Sequence, residues 1–179
     1  MAEAPEILVA GKVIGDVLEP FTPEAELTVQ YGSETVSNGC EIKPLEAKNR
    51  PRLQVTSHNP RLDDLYTLIM VDPDAPNPTH PTLREWLHWI VVDIPQGMDA
   101  SKGRTLVEYM GPQPSTGKHR YVFALYKQKG PLVKPRPLPP EYARGNFNTR
   151  HFAAHNDLGQ PVAALFFNSR KEANIAYDN

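Results

Sequence analysis

The pattern of apolar and polar positions along this chain predicts β-strands far more often than helices. Segments rich in Val, Ile, Tyr, Phe and Trp alternate as half-buried strands do, at residues 27–31, 52–57, 66–72, 87–94, 120–128 and 162–167. Helical periodicity is clearest at residues 149–158, where Asn148 or Thr149 can cap the N-terminus and Gly159 can end the helix. A second short helix is predicted at residues 169–174. We therefore predict a mostly β, antiparallel architecture with a few short peripheral helices.

The composition fits one folded domain over residues 1–179, because 40 % of the residues are apolar and 22 % are charged. No repeat, linker or low-complexity segment divides the chain. Proline is unusually frequent, with 19 residues, and proline is poorly tolerated inside helices and central strands. We therefore expect short strands joined by stiff loops. Two loops are especially rich in proline, at residues 72–82 and 129–146.

Charge and hydropathy narrow the classes of partner and the compartment. The 19 basic and 21 acidic residues give a formal net charge of −2, so nothing attracts nucleic acid at long range and any anion needs a local site. No run approaches the roughly 20 apolar residues of a membrane span, and the N-terminal segment resembles neither a signal nor a transit peptide. The single cysteine, Cys40, excludes an internal disulfide and favours a reducing compartment. We expect a cytoplasmic and nuclear protein.

Three polar residues stand at the ends of predicted strands. Asp72 finishes one strand, whereas His88 and His119 begin two others. If the first strand runs antiparallel to the other two, the three side chains lie at the same rim of the sheet. Strict alternation places His88 on the same face as Ile90 and Val92. Each polar residue therefore lies at the end of a row of apolar side chains and is expected to be partly buried.

Aromatic and glycine residues complete a candidate cavity at that rim. Tyr121 and Trp86 lie on the same strands, and the turn at residues 111–117 can aim backbone N–H groups at a small anion. A bound anion would also satisfy polar groups whose burial is otherwise costly. The pattern predicts a site for phosphate or a phosphorylated headgroup, without metal or cofactor. Binding should tighten below about pH 6.5 as the imidazoles become protonated.

Two catalytic interpretations compete with anion binding. Two histidines and a carboxylate are also the ligands of the non-haem iron facial triad, although the close His-x-Asp/Glu pair of such sites is missing. Ser115 lies near His119 and suggests a hydrolase, but no nucleophile elbow surrounds it. His151 and His155 have helical spacing without the glutamate of HExxH, so they are predicted to be exposed helix residues.

Three motifs identify a family. DPDAP at residues 72–76, REWLHW at 84–89 and GPQPSTGKHRY at 111–121 resemble the phosphatidylethanolamine-binding protein family. The segments VIGDVLEPF, NFNTRHFA and LGQPVAALFFN are similar to its plant branch. The resemblance covers nearly the whole chain and implies a central antiparallel sheet, a smaller flanking sheet and short helices.

The resemblance also implies a set of pocket residues at the rim of the central sheet. In the numbering of this chain they are Asp72, Ala75, Pro76, Trp86, His88, Gly111, Pro112, His119 and Tyr121. It further implies cis peptide bonds at Ala75–Pro76 and Arg84–Glu85. Animal relatives add a C-terminal helix with a pocket tyrosine, so here that wall is absent or rebuilt by Tyr177.

The plant branch implies regulation rather than catalysis. Trp86 stands where florigens carry tyrosine and flowering repressors histidine, and tryptophan there is similar to the mother-of-florigen-and-repressor group, which is associated with seed germination and dormancy. We expect a non-enzymatic, monomeric regulator of plant development whose partners are transcription factors or adaptors. Asp63 and Pro131 replace basic side chains that grip 14-3-3 adaptors in florigens, which argues against that partner. A phospholipid-headgroup carrier and an inhibitor of kinases or serine proteases remain alternatives.

The second proline-rich loop is the expected partner-binding element. Its segment KPRPLPP favours polyproline II, which aromatic grooves recognise, and it is similar to the external loop that sets signalling character in plant relatives. The segment is expected to contribute no apolar stripe to the core. Its residues are Lys134, Pro135, Arg136, Pro137, Leu138, Pro139 and Pro140.

Overall fold

The structure, a computed structural model, describes residues 5–140 and 142–172, and within them nine strands form two sheets. In chain order the strands are β1 (Ala25–Tyr31), β2 (Glu34–Thr35), β3 (Cys40–Glu41), β4 (Arg52–Ser57), β5 (Leu65–Asp72), β6 (Trp86–Pro95), β7 (Arg104–Val107), β8 (Lys118–Lys127) and β9 (Ala163–Arg170). The larger sheet has the order β3-β9-β8-β5-β6-β7 and the smaller one β2-β1-β4. Every pair is antiparallel except β3 with β9. The predicted fold class is confirmed.

Short helices lie around this framework. They are α1 (Glu6–Ala10), α2 (Val13–Asp16), a 3-10 helix (Ala100–Lys102) and α3 (Thr149–His155). The predicted cap of α3 is present, because the Asn148 side chain accepts a hydrogen bond from the His151 N–H at 2.9 Å. The helix ends three residues earlier than predicted. The predicted helix at 169–174 is wrong at its start, where Ser169 and Arg170 continue β9, and its end lies outside the described residues.

Two apolar layers cover the two faces of the large sheet. One lies between the sheets and includes Val29, Val55 and Phe123. The other packs the opposite face against helical segments through residues such as Leu8 and Phe152. Central strands are consequently buried on both faces: in β5 every residue after Leu65 is buried. The half-buried pattern predicted for these strands holds for β4 of the small sheet, which alternates between buried and exposed residues.

Several short elements were not predicted from the sequence. The edge strand β7 has a single short apolar pair, and α1 and α2 together cover only nine residues, too few for a periodic signal. The helices α1 and α2 are important for the site because they cover the large sheet beside the loop that follows β5. None of the helices formed by the described residues has the length and apolar character needed to cross a membrane.

Candidate functional site

Strand direction brings Asp72, His88 and His119 to one rim of the large sheet, as predicted. β5 is antiparallel to both β6 and β8, so its last residue lies beside the first residues of its two neighbours. All three side chains are buried, with 4 %, 3 % and 2 % of their surfaces exposed. Burial of this degree requires partners for each polar group.

A β-bulge sets the position of His88. Met70 pairs with Trp89 and Val71 pairs with Leu87, which leaves His88 as the extra residue on β6. The imidazole packs edge-on against the Tyr121 ring, with centroids 5.2 Å apart. The predicted shared face of His88 with Ile90 and Val92 is therefore wrong: those two residues pack on the helical side of the sheet, because the bulge changes the alternation between them.

His119 is held as a cation by two acceptors. Its Nδ1 donates to the Asp72 carboxylate at 2.7 Å, and its Nε2 faces the Thr116 carbonyl oxygen at 2.8 Å. Because both neighbours can only accept, both ring nitrogens carry hydrogen. Burial alone would lower the pKa of His119, but the hydrogen bond and charge of Asp72 raise it above its usual value. The other Asp72 oxygen accepts from the Asp74 N–H at 2.7 Å, so Asp72 orients the histidine, one of the roles expected for it.

His88 has the opposite character. Its Nδ1 donates to the backbone carbonyl of Met110, which leaves Nε2 with a lone pair in the neutral ring. Burial lowers the pKa of His88, although the nearby charge of Asp72 opposes that shift. The rim therefore combines two imidazoles whose pKa values are shifted in opposite directions, that of His119 upward and that of His88 downward.

These side chains line a cavity of about 200 Å³. Seven of the nine predicted pocket residues line this cavity, and four residues that were not predicted line it as well. The full lining is Asp72, Ala75, Pro76, Leu83, Trp86, His88, Met110, Gln113, Ser115, His119 and Tyr121. The four that were missed lie in loops, where strand alternation gives no signal. Their role in binding an anion stays a prediction, as it does for the predicted residues.

Gly111 and Pro112, which were also predicted to line the cavity, do not belong to its lining. A Cβ atom on Gly111 would lie 2.8 Å from the carbonyl oxygens of Ala47 and Lys48. Glycine is needed there because the backbones approach closely, and not because its N–H must face an anion. The neighbouring Tyr109 hydroxyl donates to the Ala47 carbonyl at 2.7 Å and fixes the same contact.

A buried charge network holds the loop that follows β5. The Arg120 side chain donates to both carboxylate oxygens of Asp74, at 2.8 and 2.9 Å, and to Asp16 of α2 at 2.9 Å. Burial opposes ionisation of Asp74, but these bonds to Arg120 leave its pKa below the usual value. Arg84 lies 3.4 Å from both Asp16 and Asp74. Ala75 and Pro76 are thereby fixed against the cavity.

The cis peptide bonds that the resemblance implies are present. Ala75–Pro76 and Arg84–Glu85 are both cis, and a third cis bond occurs at Arg136–Pro137. Tyr177, the possible replacement for a missing cavity wall, lies outside the described residues.

The geometry disfavours both catalytic interpretations. A facial triad needs a lone pair from each histidine, but both nitrogens of His119 face acceptors. For the same reason His119 cannot act as a base for Ser115. Across residues 5–140 and 142–172, no three His, Cys, Asp or Glu side chains group in a way that suits a metal ion. His151 and His155 are exposed on α3, as predicted.

The predicted partner-binding loop is attached to α3. The Asn156 side chain accepts from the Arg136 N–H at 3.1 Å and donates to the Arg136 carbonyl at 2.6 Å. Lys134 and Arg136 are exposed, but Pro135 is buried and Leu138 packs against the helical-side core. The expectation that this segment contributes nothing to the core is therefore wrong at those two positions.

Comparison with known proteins shows to which family this chain belongs. The family model described as phosphatidylethanolamine-binding protein matches residues 19–167. This chain belongs to the phosphatidylethanolamine-binding protein family. The curated proteins similar to this family member include Protein MOTHER of FT and TFL1 homolog 2 of Oryza sativa subsp. japonica, 51 % identical over 96 % of this chain and 97 % of the relative.

Further relatives in the family come from Arabidopsis thaliana and from solved structures. Protein TERMINAL FLOWER 1 is 46 % identical over 93 % of this chain and 92 % of its own. Protein FLOWERING LOCUS T is 43 % identical over 93 % and 91 %. A crystal structure of carboxypeptidase Y inhibitor complexed with the cognate proteinase matches with a TM-score of 0.81 and 30 % identity, over 93 % of this chain and 94 % of that one.

Proposed function

We propose that this protein is a non-enzymatic regulator of plant development that holds a phosphate-type anion in the histidine cavity and acts through protein partners. The plant relatives support the developmental role, since two of them are named for flowering. Similarity to the MOTHER of FT and TFL1 homolog, together with Trp86, favours germination or dormancy. The partners are transcription factors or their adaptors, met in the cytoplasm and nucleus.

The anion proposal rests on the pair of histidines at the rim, whose pKa values are shifted in opposite directions. The pKa of His119 is raised beside Asp72, with which it forms an ion pair when protonated, whereas burial lowers the pKa of His88. Charge-assisted hydrogen bonds to an anion are about twice as strong as neutral ones, so protonation of His88 on binding favours phosphate, either free or as the headgroup of a phospholipid. The cavity volume of about 200 Å³ accommodates the phosphate group.

Capture of partners tests the regulatory role. We expect the wild-type chain, immobilised and exposed to seed extract, to retain transcription regulators identified by mass spectrometry. Replacing the exposed Lys134 and Arg136 by serine should weaken that capture while leaving the anchors Pro135 and Leu138 in place. The matched control replaces Arg52 and Lys171, which are exposed elsewhere, and should keep every partner. An unchanged partner list for the loop variant would show that the interaction surface lies elsewhere.

The structural relative supports a second candidate. Because the fold aligns with carboxypeptidase Y inhibitor at a TM-score of 0.81, inhibition of a serine carboxypeptidase is a direct alternative. Titrating carboxypeptidase Y with this protein decides between them. Stoichiometric inhibition would favour the inhibitor role, whereas undiminished hydrolysis at a large excess of this protein supports the regulatory one.

A further inference from the structure

A second cavity lies at the opposite end of the strands that build the histidine site. Asp72 of β5 and His119 of β8 lie at the histidine cavity, and Tyr66 of β5 pairs with Lys127 of β8 at the far end. Six residues of strand span about 20 Å, so the two cavities are well separated. The far cavity has a volume of about 430 Å³, roughly twice that of the histidine cavity at about 200 Å³.

A tyrosine hydroxyl is open to this second cavity. Tyr66 is 1 % exposed and lines the cavity. Its hydroxyl makes no hydrogen bond within residues 5–140 and 142–172 and keeps contact with solvent. A ligand in the cavity can therefore exchange a hydrogen bond with this group without displacing a protein partner.

Cationic and neutral donors surround the same space. The side chains of Arg61 and His58 are exposed, and neither has an ion pair or hydrogen bond within the described part of the chain. Lys127 also lines the cavity, with its charge offset by Asp64 at 3.4 Å. Arg61 is thus the free cation of the cavity, and its guanidinium group suits a bidentate contact to a carboxylate or phosphate.

The acceptor and the apolar surface of the cavity restrict the ligand further. Glu24 is the acidic side chain of the lining, and Pro23 and Val162 supply apolar contact. A bare anion would leave these three residues unused. A ligand that presents an anion to Arg61 and a hydroxyl or amino donor to Glu24 would use both ends.

We propose that this cavity is a second binding site, for a small organic anion that also carries hydroxyl or amino donors. Sugar phosphates and nucleoside monophosphates have this chemistry, and molecules of that size fit cavities of 300–1,000 Å³. Arg61 holds the anionic group and the Tyr66 hydroxyl donates to the ligand or accepts from it. The site is independent of the histidine cavity, and so is its test.

Nuclear magnetic resonance titration with adenosine 5′-monophosphate tests the proposal. Amide signals of residues 57–61, 66 and 127 should shift with a binding curve of their own. Arg61→Ala should weaken that curve about tenfold or more, since hydrogen bonds to charged groups contribute 1.5–3 kcal/mol. Tyr66→Phe, which removes only the hydroxyl, should weaken it about fivefold. Sulfate binding at His88 and His119 should be unchanged in both variants.

Two controls distinguish binding at this cavity from non-specific electrostatic attraction. Arg52→Ala removes another exposed arginine and should leave the titration unchanged, and adenosine, which lacks the phosphate, should bind at least tenfold more weakly. The proposal is overturned if the shifts stay confined to the histidine cavity, if adenosine binds as well as the monophosphate, or if Arg61→Ala and Tyr66→Phe titrate like the wild type. Thermal melts within a few degrees of the wild type confirm that the variants are folded.

Discussion

The two proline-rich loops of this chain are attached to the same sheet in different ways. The loop after β5, at residues 72–82, is fixed by buried side-chain charges, chiefly Asp74 with Arg120. The loop at residues 129–146 is fixed at separate points: Asn156 binds the Arg136 peptide groups. Near its end, Arg144 donates to the carbonyls of Leu87 and His88, at 3.0 and 3.1 Å.

The difference separates a loop that forms a wall from a loop that presents a surface. A buried ion pair leaves the first loop little freedom, and its Pro76 becomes part of the cavity. Separate anchors, the Arg136 peptide groups and the Arg144 side chain, hold the second loop at a few points. Side chains between the anchors are left to solvent, with Val133 78 % and Tyr142 90 % exposed. A composition rich in proline is thus compatible with either role, and the charged residues nearby decide which.

The largest effect is expected from Arg120→Met. Removing one partner of a buried ion pair leaves a charge without compensation and costs about 3–5 kcal/mol. Here the Asp74 carboxylate would keep only the Arg84 contact at 3.4 Å and the N–H of residue 120, so we expect the lower end of that range, and the cavity wall at Ala75 and Pro76 would loosen. Urea unfolding should show this loss, and sulfate affinity should fall with it. The matched control is Arg170→Met, whose ion pair with Glu41 is exposed at 2.9 Å and contributes 0–1 kcal/mol. Equal losses of unfolding free energy in the two variants would show that the buried ion pair stabilises the protein no more than the exposed one does.

The next effect concerns Glu85, which fixes the end of the second loop. Its carboxylate accepts from the Thr149 N–H at 3.1 Å and from the Thr149 hydroxyl, and its N–H donates to the Phe147 carbonyl at 3.1 Å. Burial raises the pKa of Glu85 from 4.5 to about 7, against the lowering effect of Thr149, Arg150 and Arg84. The folded state therefore holds this proton more tightly than the unfolded state does.

Stability should consequently fall as the pH rises from 4.5 to 7 and be level above that. The difference in pKa corresponds to about 3 kcal/mol. Glu85→Gln, which keeps an acceptor oxygen for Thr149, should lack this decline. Unfolding free energies of both proteins at pH 5.0 and 7.5 provide the measurement. Parallel pH profiles for wild type and variant would show that Glu85 is ionised throughout.

Asn156→Ala should have the smallest global effect and a clear local one. It removes the two hydrogen bonds to Arg136, and a typical hydrogen bond contributes about 1 kcal/mol. Amide hydrogen exchange should speed up in residues 134–138 and stay unchanged at residues 72–76. Asn59→Ala, an exposed asparagine far along the chain, serves as the control. Faster exchange at both loops would mean that they are not held independently.

The sequence predicted the parts of this molecule that depend on period and strand direction. Six of the strands and α3 were predicted from the pattern of residues and from capping, and the meeting of Asp72, His88 and His119 follows from antiparallel neighbours. The bulge at His88 could not be predicted, because an extra residue changes the pairing without leaving a mark in the pattern. The family resemblance supplied the cis bonds and most of the cavity lining.

Other features depend on contacts between distant segments. Ser115 and Gln113 reach the cavity from a loop, and Arg144 crosses to β6 from the second proline-rich loop. The pairing of Arg120 with Asp16 joins residues 104 positions apart. Such contacts are decided by tertiary packing, and no local propensity encodes them.

The measurement that most directly tests the account is calorimetry of sulfate binding at pH 5.5 and 7.5. Sulfate does not titrate in this range, so any pH dependence belongs to the protein. Binding that requires a proton on His88, whose pKa lies below its usual value, should tighten by up to tenfold per pH unit. His88→Ala should abolish that dependence, and His151→Ala, an exposed histidine, should preserve it. Absence of binding at both pH values, or tighter binding at pH 7.5, would contradict an anion site built on these two histidines.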